Sequence, residues 1–291
     1  MVITKLKGGL GNQMFQYATG RFLSLKNNNK LFLELSHYDK KNINPDYPRE
    51  YSLHYFKINS NTPINSNSFL KIALKIYNRL LKKTVRNYYL DYHPELLEKL
   101  SLKLERKPKS KVILDGFFQS EKNFSEIRPT LLQEFQLKPE FITDKVKEFQ
   151  DKIEKGNSVS IHIRRGDYVS NPDANAHHGL CPLSYYRDAI DLMVNAVENP
   201  HFFIYTDDVE WVKENLEISD PHTFVSGNGL TGPQELWLMS KCNHNIIANS
   251  SFSWWGAWLN QNPGKNVIAP KQWTIKGDDH PNIIAEGWVT L

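Results

Sequence analysis

From Val159 to Pro270 the chain alternates short apolar runs with stretches of helical periodicity, and this alternation restricts the fold more than any single motif. Val159, Ile161 and Ile163 alternate with Ser160, His162 and Arg164, the period of a strand with one apolar face. His201–Thr206, Thr223–Val225, Asn245–Ala248 and Val267–Pro270 repeat the strand signal. Between them, Tyr186, Ala189, Ile190, Met193, Val194 and Val197 mark a helix that Ser184 can cap, and Thr231-Gly232-Pro233-Gln234 reads as a capping box opening another. The amino-terminal half starts the same way. Val2–Lys7 is a strand, Gly8-Gly9-Leu10-Gly11-Asn12-Gln13 a glycine-rich turn, the next helix runs to about Lys26, and Leu31–Leu35 is a second strand. Repeated strand-helix-strand units imply α/β architecture, a parallel sheet with helices on both faces, and ligands bound at the carboxyl ends of the strands. An amphipathic stretch from Lys138 to Asn157 leads to a domain boundary near Gly156, dividing the chain into 1–156 and 157–291.

Composition narrows the function classes. The 291 residues can bury a large core, and 36 Lys+Arg against 32 Asp+Glu leave a net charge of only +4, so no concentrated basic face for nucleic acid is expected. Cys181 and Cys242 lack metal or disulfide spacing, which suits a reducing cytoplasm and core or near-site thiols. No run approaches the ~18 apolar residues of a membrane span. Met1-Val2-Ile3-Thr4-Lys5-Leu6 does not build a signal-peptide apolar region, so a cytoplasmic protein is expected. Residues 37–57 read as a surface loop, 59–67 as a connector, and Lys111–Ser120 as a strand with a glycine kink at Gly116 that sets Asp115 and Gln119 near a cleft. Phe69, Ile72, Ala73, Ile76, Tyr77 and Leu80 mark an amphipathic helix whose polar side carries Lys71, Lys75, Arg79, Lys82, Lys83 and Arg86 with no acid between Ser66 and Arg86. Such a 69–86 helix can dock on an anionic membrane at the inner face of a plasma membrane, although a solvated face is the more frequent cause of the pattern.

The residues that carry chemistry follow predicted strands. Arg164-Arg165-Gly166-Asp167 closes one strand, Asp207-Asp208 the next, and Asn249-Ser250-Ser251 a third, so all three groups can face one crevice. Guanidinium forks match phosphate oxygens, an Asp can accept hydrogen bonds from ribose or base, and serines at a helix amino terminus can hold phosphate. A nucleoside diphosphate is the simplest common ligand. Adjacent Asp207 and Asp208 lack the spaced pattern of a metal pair, and no metal or other cofactor is expected.

Three motifs together resemble the bacterial α-1,2-fucosyltransferases of glycosyltransferase family 11: Gly8-Gly9-Leu10-Gly11-Asn12-Gln13-Met14-Phe15-Gln16-Tyr17-Ala18, His162-Ile163-Arg164-Arg165-Gly166-Asp167-Tyr168, and Asn249-Ser250-Ser251-Phe252-Ser253-Trp254-Trp255-Gly256-Ala257. The resemblance spans residue 2 to about 260. It implies a GT-B-like enzyme, two Rossmann-like domains with parallel sheets facing a cleft, that moves L-fucose from GDP-fucose to the 2-hydroxyl of a terminal β-galactoside of O-antigen or capsule type, with inversion and without metal. It further implies that His162 and Arg164 contact the donor, Arg164 on the diphosphate, with Arg165 and Asp167 stabilising the loop. Asp207 would meet guanosine, Asn249, Ser250, Ser251 and Phe252 the phosphate site, and Asn12, with Gly11 and Gln13 beside it, would reach the donor from the first domain.

The general base stays open between Asp167, Asp173, His177 and His178, with Asp167 and His178 carried forward as catalytic candidates. Two other readings compete. A glycoside hydrolase would need paired carboxylates about 5–10 Å apart across a sugar cleft. A non-catalytic sugar- or nucleotide-binding module would use the seven tryptophans and 13 tyrosines as platforms.

Overall fold

The computed structural model describes residues 1–39, 49–64, 94–107, 111–166, 179–275 and 282–291. By its contacts the chain divides into two compact units, Met1–Phe135 and Gln136–Leu291. The division falls upstream of the boundary expected at Gly156. The helix Asp144–Glu154 explains the difference, because its apolar face of Val146, Phe149 and Ile153 is buried against elements of the second unit. Gln136 and the Phe141 carbonyl, which accept from Trp237 and Gln234, lie in that unit as well.

In the first unit, β1 (Val2–Lys5) leads through the glycine-rich turn into α1 (Leu10–Lys26) and back to β2 (Leu31–Glu34). β3 (Asn61–Ile64) adds to β2 where a connector is expected from sequence, α2 (Pro94–Arg106) buries Leu97, Leu100 and Leu104 at helical spacing, and β4 (Val112–Leu114) returns to pair with β1. The strand order is β3-β2-β1-β4, all parallel. The chain therefore changes direction between β1 and β4, the place where an open parallel sheet offers a crevice.

α1 is buried on almost every side, Met14, Phe15, Tyr17 and Ala18 being wholly covered. Its polar side chains must then find partners inside the protein. The Tyr17 hydroxyl donates to Glu134 Oε2 at 2.6 Å, and Arg21 forks onto the same carboxylate at 2.7 and 2.9 Å. Glu134 ends the short helix α3 (Arg128–Glu134), so this network ties α3 to α1.

The second unit opens with α4 (Asp144–Glu154), capped by Thr143, and β5 (Asn157–Ile163). It continues through α5 (Leu183–Ala196), β6 (Pro200–Thr206), α6 (Val209–Asn215) and β7 (His222–Phe224). It ends with α7 (Gly232–Met239), β8 (His244–Ile246), α8 (Ser251–Leu259), β9 (Val267–Ala269) and β10 (Val289–Thr290). The parallel sheet has the order β10-β9-β8-β5-β6-β7. The strands grow from β5 toward β7 and then restart on the other side of β5 at β8, so the reversal lies between β5 and β8. Val159, Ile161, Phe202 and Ile204 form the core with Ala189, Met193 and Val212 of the flanking helices. The expected capping box at Thr231 and Gln234 is present.

Candidate active site

Pairing of β5 with β6 sets His162 opposite Tyr205 and Ile163 opposite Thr206, so the residues leaving the two strands emerge side by side. Arg164 forms an ion pair with Asp207 Oδ2. The Arg165 backbone N–H donates to the other Asp207 oxygen at 2.8 Å, while its Nε donates to Asp208 at 3.0 Å. The Arg165 guanidinium also lies 3.4 Å from the centre of the Trp211 ring, and Asp208 accepts from the Trp211 N–H at the start of α6. Arg165 is therefore committed to holding the turn, and Arg164 stands beside it at the strand end, paired with Asp207. Gly166 lets the Asp207 carboxylate sit where it does: a β-carbon there would collide with it and displace it.

On the other side of β5, the β8 connection leads into α8. Ser250 is buried and caps the helix, accepting from the Phe252 N–H at 3.4 Å. Ser251 and Phe252 are only partly covered. The Phe252 ring lies 5.4 Å from the His162 ring, joining the two strand ends across the reversal point. His162 itself is buried, its Nδ1 has no hydrogen-bond partner, and burial together with the Arg164 charge pushes its pKa down to about 3. It is a neutral ring at any ordinary pH. Asn249, expected in the phosphate site, is instead buried. Its amide donates to the Gly179 and Trp273 carbonyls and its oxygen accepts from the Cys181 thiol, which braces two loops.

In the first unit, the glycine-rich turn separates three residues that the sequence groups together. Gly11 is buried within α1. Gln13 is fully buried and clasps the 50–52 segment, donating to the Glu50 carbonyl at 2.7 Å and accepting from the Ser52 N–H at 2.9 Å. Asn12 alone is partly exposed, and its oxygen accepts from Gln119 at 2.6 Å. Asp115 is held by Lys5 and Lys7 at 2.9 and 3.2 Å, which keep its carboxyl below the usual range against the opposing effect of burial.

One carboxylate near Asp207 has no distinctive sequence signal. Glu235 lies in the first turn of α7, where an acid is expected merely to complement the helix dipole. In the structure it is half-buried, takes a hydrogen bond from Ser226, and is pushed up to about 7 by burial and by the neighbouring Asp207 charge. Asp167 and His178, with Asp173, His177 and the 69–86 helix, lie outside the described residues.

Each of the two units is a parallel sheet with polar groups gathered at its strand reversal. The sequence profile of glycosyl transferase family 11 matches residues 1–291. The chain belongs to that family. Within it, the chain is 38% identical to the α-1,2-colitosyltransferase of Escherichia coli, over 94% of this chain and 92% of the relative. It is 31% identical to the O-antigen biosynthesis glycosyltransferase WbnK of Escherichia coli, over 98% and 99%. The fold of this family 11 glycosyltransferase also matches the NodZ α-1,6-fucosyltransferase soaked with GDP-fucose, with a TM-score of 0.52 at 13% identity over 90% of this chain and 96% of that one. POFUT1 in complex with GDP-fucose gives a TM-score of 0.55 at 10% identity over 92% and 97%. These likenesses establish two Rossmann-like units of GT-B type. Membership in a transferase family disfavours the hydrolase and binding-module readings, and Trp254, Trp255 and Trp258 are core residues, Trp254 stacked on Trp258 and both edge-to-face with Trp255. Among the described residues no helix is long and apolar enough to cross a membrane.

Proposed function

We propose that this glycosyltransferase moves L-fucose from GDP-fucose to the 2-hydroxyl of a terminal β-galactoside in a bacterial surface glycan, with inversion and without a metal. The observation that carries this reading is Arg164, ion-paired to Asp207 beside the strand reversal and the amino terminus of α8. Loss of GDP from the sugar builds negative charge on the β-phosphate, and a braced guanidinium stabilises that charge more in the transition state than in the ground state. The partly exposed start of α8 at Ser251 and Phe252 adds backbone N–H groups for phosphate.

For the guanosine, Glu235 joins Asp207 as a second candidate carboxylate, since the Asp207 charge acts on it. A carboxylate accepts from both N1–H and the 2-amino group of guanine. A second donor is favoured by the 38% relative: colitose is fucose lacking the 3-hydroxyl, so the choice rests on whether a residue of this chain bonds that hydroxyl.

The test is incubation of the purified protein with GDP-fucose or GDP-colitose and lactose, with linkage analysis of the product. An α-1,2-fucosylated product, formed equally with and without EDTA, is expected. Near wild-type turnover by Arg164→Ala would sink the phosphate-clamp role, because loss of such a group costs roughly 10²–10³ in kcat.

A further inference from the structure

We infer that Gln119 is a positioning residue: by donating its amide N–H to Asn12 Oδ1 it fixes which end of the Asn12 carboxamide is offered to substrate. The inference rests on the function proposed above. A carboxamide has one accepting and one donating end. Gln119 Nε2 lies 2.6 Å from Asn12 Oδ1, so the accepting end is engaged, while Asn12 Nδ2 has no protein partner among the described residues. Asn12 is partly exposed, in the first turn of α1, the helix that follows β1 where the first sheet reverses toward β4. A half-exposed N–H donor at that place is suited to an oxygen acceptor, either a phosphate oxygen of the donor or a hydroxyl of the glycan.

The backbone on both sides is shaped around this pair. Gly8 has φ of +79°, and a β-carbon on it would come within 2.8 Å of Asn12 Nδ2, so only glycine leaves the amide its space. In the segment after β4, Phe118 is a buried aromatic at φ +56°, a conformation that bulky residues rarely adopt and that must be held by its surroundings. Its carbonyl accepts from the Ser120 N–H at 2.8 Å and from Asn123 Nδ2 at 3.1 Å. This kink turns the chain immediately before Gln119, which is itself buried.

The chemistry predicts an order of effects that packing does not. Gln119→Met removes the donor at similar volume and leaves Asn12 free to sample both orientations. Gln119→Glu at neutral pH replaces the donor by an acceptor. Asn12 then turns its N–H₂ inward, and its carbonyl oxygen faces an oxygen of the substrate.

The experiment measures kcat, KM for each substrate, melting temperature and GDP binding for wild type, Gln119→Met, Gln119→Glu and Asn12→Asp. Expected are kcat in the order wild type, Met, Glu, with Gln119→Glu and Asn12→Asp each down by up to roughly a hundredfold, melting temperature close to wild type in all four, and GDP affinity lowered only if the acceptor is a phosphate oxygen. A rise in KM for GDP-fucose assigns the acceptor oxygen to the donor substrate, and a rise for the galactoside assigns it to the glycan. Gln119→Glu within threefold of wild type, or losses in kcat that follow losses in melting temperature, would overturn the inference alone. A wild-type protein that turns over neither GDP-fucose nor GDP-colitose would overturn the functional reading on which it stands.

Discussion

Replacing Glu235 by Gln should stabilise the protein at alkaline pH while weakening its hold on GDP. The rise of the Glu235 pKa from an ordinary 4.5 to about 7 means that the folded state resists ionising this carboxyl, which is held by burial and by the charge on Asp207. The full shift corresponds to at most about 3 kcal/mol, and water on the half-exposed side reduces it to about 1–2 kcal/mol. The sign follows from proton linkage. Between about pH 4.5 and 7 the native state binds the proton more tightly than the unfolded chain, so stability contributed by this group is present at low pH and lost as pH rises through 7. His162 works in the opposite sense: with a folded pKa of about 3, it resists the proton that the unfolded chain takes up below about 6.5. The difference between wild type and Glu235→Gln cancels the His162 contribution. Scanning calorimetry of both proteins from pH 4.5 to 8.5 should show coincident melting temperatures at the acid end. At pH 8 the variant should melt roughly 3–6 °C higher. The same variant should bind GDP more weakly, because Gln can accept from only one of the two guanine donors and sets its own N–H₂ against the other. Equal melting temperatures at every pH, or a variant less stable at pH 8, would refute the burial argument. Unchanged GDP affinity would remove Glu235 from the base site.

Gly166→Ala should push the Asp207 carboxylate away from Arg164 and Arg165, lowering kcat by up to roughly a hundredfold. Gly156→Ala, where a β-carbon meets nothing within 4 Å, should retain wild-type kinetics. Tyr17→Phe removes a 2.6 Å hydrogen bond to the buried Glu134, which keeps its Arg21 pairing. Urea titration should show a loss of about 1–3 kcal/mol with no change in KM for either substrate.

Much of the architecture was legible because strand and helix periodicity, capping residues and the strand-helix-strand rhythm are local properties. β1, α1, β2, β5, α5, β6 and the Thr231 capping box all fall where periodicity predicts them. The short strands β3 and β10 carry too few residues for a period of two to stand out, and they exist because a neighbouring strand supplies their hydrogen bonds. The boundary expected at Gly156 failed for a related reason. An amphipathic helix announces that it buries one face, and only packing reveals which unit that face joins.

The sequence by itself determined the parallel α/β class, the family and the placing of charge at strand ends, since all three are written in residue identity and spacing. Tertiary structure decided how those polar residues are partnered. It committed Arg165 to Asp208 and Trp211, Arg164 to Asp207 beside the sheet reversal, Gln13 to a backbone clasp and Asn249 to a loop brace, while Asn12 stays partly exposed. It also gave Glu235 its raised pKa and Gln119 its hold on Asn12. A side chain's chemistry is set by its type, but its protonation and free hydrogen-bonding capacity depend on neighbours that are distant in sequence. Asn12 and Gln119, 107 residues apart, are one such pair.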